Sequence, residues 1–89
     1  MYTFICPEIV NDRIIEFSKT SPSIKDRLEE LPNNPYARAI ETGIPIFGSY
    51  YVNAGRYCIL FDIDESEKQI TIHSIVYDSY LHKLLSGRL

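Results

Sequence analysis

The sequence predicts an α+β fold in the order strand, helix, helix, three-stranded antiparallel meander, helix. Three observations carry that prediction. Apolar residues in the first third recur every three to four positions. Those after residue 45 gather into three alternating runs rich in Ile, Val, Tyr and Phe. The links between those runs are short enough to require hairpins. At 89 residues the chain is expected to be one domain with one core.

Tyr2 to Cys6 are aromatic and β-branched and Pro7 ends them, which predicts a strand entering a helix with Pro7 at its start. Ile9, Val10, Ile14, Ile15 and Phe17 then follow helical spacing. The run Lys19-Thr20-Ser21-Pro22-Ser23 is turn chemistry, and Ser21 before Pro22 predicts a cap and first turn. Ile24, Leu28 and Leu31 share one face of the second helix, which Pro32 and Asn33-Asn34-Pro35 end. Tyr36 to Glu41 is expected to add one helical turn before Gly43 and Pro45.

The three strand runs are Ile46 to Asn53, Arg56 to Asp64 and Gln69 to Val76. Within the middle run Tyr57, Ile59, Phe61 and Ile63 should face the helices, with Arg56, Cys58, Leu60 and Asp62 on the other side. Leu81, Leu84 and Leu85 share one side of a terminal helix over Tyr77 to Leu85, with Gly87 just beyond it.

Nine Lys and Arg against twelve Asp and Glu leave a formal charge of −3, the opposite of the basic excess that a non-specific nucleic-acid binder uses against phosphates. Cys6 and Cys58 are too few for a disulfide framework and lack zinc-site spacing, so a reducing, cytoplasmic setting is expected. The apolar stretch at the N-terminus is broken by Pro7 and Glu8, too early for a signal peptide or a membrane span. The residues call for no cofactor and no metal, since His73 and His82 fall on different elements with no clustered ligands.

The order of elements, and the run from Gly48 to Asp64, resemble the RelE/ParE superfamily of toxins from toxin–antitoxin modules. Gly48, Tyr50, Gly55, Tyr57 and Asp64 match a hairpin pattern of that family, G-x-Y-R-x-R-x-G-x-Y-R-x-x-Y-x-x-D, and Phe61 stands at its last tyrosine. The resemblance covers Pro22 to Leu85 and implies the fold, a cognate antitoxin partner and, for RelE-type members, cleavage of ribosome-bound mRNA. The family's basic positions fall on Tyr51, Asn53 and Cys58. Its Ile-Gly-His-Arg stretch falls on Ile75-Val76-Tyr77-Asp78, with an acid in place of the arginine, and its terminal tyrosine falls near His82. Arg56 alone keeps a positive charge nearby.

Strand cleavage by a 2′-hydroxyl needs a base, an acid and a cation for the phosphate. The groups available for acid–base work are Tyr51, His73, Tyr77 and His82, with Asn53, Arg56 and Cys58 as substrate contacts. Each also has a structural reading: His73 as a surface residue, Cys58 as a small hydrophobe, Tyr50 and Tyr57 as core aromatics. Five of the seven tyrosines lie between residues 50 and 80, and Tyr51, Tyr77 and Tyr80 are expected at a contact surface. Two functions follow from the resemblance. One is a toxin that acts as an mRNA interferase through a substituted site. The other is a non-catalytic toxin that binds DNA gyrase as ParE-type members do, or a degenerate relative kept for binding.

Overall fold

The computed structural model describes residues 1–44 and 48–87. At its centre is a five-stranded sheet in spatial order β1-β5-β4-β3-β2. The strands are β1 (Thr3–Ile5), β2 (Ile40–Glu41), β3 (Tyr50–Ala54), β4 (Tyr57–Asp64) and β5 (Gln69–Tyr77); the helices are α1 (Glu8–Ser18), α2 (Ser23–Glu30) and α3 (Asp78–Leu85). The meander β3-β4-β5 is antiparallel as the short loops demand, and β1 joins its far edge in parallel with β5.

Pro7 opens α1 because its missing N–H would have had no helical partner, while its carbonyl accepts from Val10 and Asn11 at 3.0 and 2.9 Å. The start of α2 differs from the expected cap. Ser21 is buried and its hydroxyl donates to the Ala54 carbonyl at 3.4 Å, so it ties the helix entry to β3 and does not cap the helix. Gly55 is the first residue of the two-residue loop between β3 and β4, with φ +66°. A Cβ there would lie 2.8 Å from Ser21 Oγ, so glycine serves both the left-handed backbone and the close approach of α2.

Ile24 and Leu31 are buried and Leu28 is half-buried, all against the sheet, as their spacing predicts. With Val10 they meet Val52, Tyr57, Ile59, Phe61, Ile70, Ile72 and Ile75 in the main core. On β5 the alternation is interrupted: Leu60 pairs with Ser74 and Phe61 with Ile72, leaving His73 as the extra residue of a bulge. The bulge lets Ile72 and Ile75, three positions apart, both point at the helices.

Two further expectations are corrected. Ile40–Glu41 is a strand paired antiparallel with β3 and not a helical turn, because the segment reaches the free edge of the sheet. β3 begins at Tyr50; of the run expected to start at Ile46, residues 46 and 47 lie outside the described residues. No described helix is long and apolar enough to cross a membrane.

Candidate functional site

Strand alternation sends Tyr51 and Asn53 of β3, Cys58 and Leu60 of β4 and Val76 of β5 to the face opposite α1 and α2. The sequence leaves this face open. In the structure α3 covers it. The Asp78 N–H donates to the Arg56 carbonyl at 2.9 Å, anchoring the start of the helix on the hairpin loop. Leu81 then packs on Tyr51, Cys58 and Leu60, with Val76 and Leu85 at the margin, as a second, smaller core. Tyr51 is therefore 6% exposed and Cys58 not at all, so the expectation that Tyr51 lies at a contact surface is corrected.

A polar seam runs through this second core. The Cys58 thiol lies 3.3 Å from both Asn53 Oδ1 and Asp78 Oδ1, sharing its proton between them. Asp78 Oδ1 is also 3.1 Å from His82 Nε2, one helical turn on. Burial, then the hydrogen bond to Asp78 and its charge, push the Cys58 thiol up to about 12. Burial, then the neighbouring Cys58 and Asp78, raise the Tyr51 phenol. Near neutral pH both groups keep their protons, so neither is a thiolate nucleophile or a phenolate base. Two members of the seam are exposed, Asn53 at one end and His82, held by Asp78, at the other. Asp78 was not among the site residues expected from sequence; its signal was the four-residue spacing to His82.

The other expected residues are dispersed. His73 is exposed on the bulge beside Phe61, roughly 10 Å along the strand from Cys58 at three residues' rise. Gly48 packs near it, since a Cβ there would lie 3.4 Å from His73 Cβ. Tyr77 pairs with Tyr57 and faces the other side of the sheet, its ring 5.2 Å from Tyr57 and 6.5 Å from Phe17. It stands outside the seam, a correction forced by strand parity. Arg56 and Asn53 are exposed at the hairpin. No Lys or Arg occupies a described sheet position on the α3 face. Among the described residues no group of three or more His, Cys, Asp or Glu could hold a metal.

The backbone aligns with a chain of the RelBE2 toxin–antitoxin complex from Mycobacterium tuberculosis at a TM-score of 0.62, over 85% of this chain and 96% of that one. The two chains share one fold. Sequence identity is 18%, so the likeness lies in the fold. No protein-family model matches the sequence, and no curated protein matches it. On this scaffold the hairpin carries Gly55 between Tyr50 and Tyr57, while the α3 face presents a thiol hydrogen-bonded to an amide and to a carboxylate.

Proposed function

We propose that this chain is the toxin-like component of a toxin–antitoxin module, held by a cognate antitoxin in the cytoplasm, and that it acts by binding a protein target and does not cut RNA. Support for the module comes from the fold it shares with a chain of a toxin–antitoxin complex. One observation carries the non-nuclease reading: the carboxylate of Asp78 occupies the seam of a face whose described sheet positions carry no cation. A phosphodiester reaching that face would meet negative charge where its transition state needs positive charge.

Asp78 and His82 favour a second reading, because an exposed imidazole oriented by a carboxylate is a competent acid–base pair. In that reading the chain is an mRNA interferase acting on ribosome-bound mRNA, with His82 as the acid or base, Asp78 orienting it, and Asn53 and Arg56 as contacts. Induced expression followed by mapping of mRNA 5′ ends separates the two. The proposed function expects growth arrest with intact mRNA, relieved by co-expression of the antitoxin, and trapped DNA breaks if the target is gyrase. Codon-spaced cuts that disappear in His82→Ala would establish the nuclease instead. No arrest at all would end both readings.

A further inference from the structure

Helix α1, strand β5 and helix α3 meet at a cleft of about 240 Å³ lined by Arg13, Phe17, Ile75, Val76, Tyr77 and Tyr80. It shares no residue with the seam of Asn53, Cys58, Asp78 and His82. Five of the six lining residues are aromatic or aliphatic, and three of them carry rings. Phe17 stacks on Tyr57 with ring centroids 4.6 Å apart, and Tyr57 on Tyr77 at 5.2 Å. That stack holds the Tyr77 ring in place from one side, yet Tyr77 stays 54% exposed, and Tyr80 in the first turn of α3 is 45% exposed. Arg13 is the one charged residue of the lining and makes no ion pair among the described residues.

We propose that this cleft binds a small planar aromatic carboxylate. The lining selects each part of that ligand. A lone guanidinium offers paired N–H donors that match one carboxylate in a planar, two-point contact. It also repels a cationic ligand, and the lining holds no acid to offset the repulsion. Exposed tyrosine rings take a flat apolar body by stacking, as Tyr57 and Tyr77 already stack within the protein. A sugar or a polyphosphate would press several polar groups against Phe17, Ile75 and Val76, whose side chains have no donor or acceptor to answer them. The volume sets the size: it falls below the about 300–1,000 Å³ of sites for drug-sized ligands, so one ring or two fused rings fill it. This proposal does not depend on the toxin–antitoxin reading.

The test titrates naphthoate, and separately its uncharged counterpart naphthamide, into the full chain and follows amide and aromatic chemical shifts. Naphthoate should saturate, with the shift changes concentrated at Arg13, Phe17 and the stretch from Ile75 to Tyr80, and naphthamide should bind at least about tenfold more weakly. Arg13→Gln should abolish the preference for naphthoate, and Tyr80→Ala should weaken naphthoate about tenfold, each with the melting temperature of the free chain unchanged. The two probes on the parent chain decide the charge requirement even where a variant melts lower. Equal binding of both probes by the parent chain, or a preference that survives in Arg13→Gln, overturns the carboxylate. Shift changes that never saturate, or that centre elsewhere on the chain, overturn the site. An acetylated peptide ending in phenylalanine that binds more tightly than naphthoate assigns the cleft to a protein terminus and overturns the small-molecule ligand.

Discussion

The two faces of the sheet are built on different terms. Against α1 and α2 lies a continuous apolar core centred on Phe61, Ile59 and Ile24, all at 0% exposure. Against α3 lies a cluster of four buried residues, Tyr51, Cys58, Leu60 and Leu81, two of which bring polar atoms into the contact. α3 is one eight-residue helix fixed at its start by a single backbone hydrogen bond and along its length chiefly by Leu81. The first face therefore carries the stability of the fold. The second is where the molecule opens at lower cost.

Truncation separates the faces most sharply. Phe61→Ala should cost about 3–5 kcal/mol, enough to unfold much of a domain this small, read as a lower urea midpoint with one cooperative transition. Leu81→Ala removes the centre of the second core and should cost about 2–3 kcal/mol at most. Its distinctive effect is local: faster hydrogen exchange in α3 with protection kept in β4. If Leu81→Ala instead lowers the protection of every strand equally, the two faces form one cooperative unit and the contrast fails.

The cysteines give a milder probe. Cys58 is closed under α3 while Cys6 is half-buried, so a thiol reagent near neutral pH should modify Cys6 and reach Cys58 only when α3 opens. Leu81→Ala should speed the Cys58 reaction and leave that of Cys6 alone. The same thiol links stability to pH. Its folded value is raised from 9.0 to about 12, so below pH 9 it is neutral in both states and its contribution is fully present. As pH rises from about 9 to about 12 the unfolded chain releases a proton that the folded chain keeps, and stability falls. Cys58→Ala should flatten that alkaline limb. An unchanged limb would mean that α3 does not hold the thiol in its closed surroundings.

What sequence reasoning read correctly, and what it missed, follows the same division. The α1/α2 face was legible because period-two residues such as Tyr57, Ile59 and Phe61 and helical residues such as Ile24 and Leu31 all serve one core. The bulge at His73 was not legible, since an added residue in one strand appears only once the partner strand is known. That bulge shifts the parity of everything after it, which is why Tyr77 belongs with Phe17 and Tyr57 and not with the seam. The covering of Tyr51 and Cys58 was missed for a related reason. Leu81 and Leu85 announced an apolar helix face, but nothing in their spacing says which side of the sheet receives it. β2 is two residues long, below the length at which alternation is a signal.

The smallest expected effect lies at the exposed β4–β5 hairpin. Asp64 Oδ1 accepts from the Ser66 hydroxyl at 2.8 Å and from the Ser66 and Glu67 N–H groups at 3.0 and 3.2 Å. The Ser66 hydroxyl first, then the Glu67 N–H, hold its carboxyl below the usual range. Glu65 is lowered as well, first by the Tyr2 hydroxyl that donates to it. A depressed carboxylate contributes stability that is present above its unfolded value and lost as pH falls through its folded value. Asp64→Asn should therefore be slightly less stable than the parent chain at pH 7, and the two should converge as the solution is acidified below the ordinary carboxylate range. Denaturation midpoints of the two chains from pH 7 to pH 2 measure this. A gap that persists unchanged to pH 2 would mean that the neutral carboxyl holds the turn as well as the anion does, and that the charge on Asp64 is incidental to the hairpin.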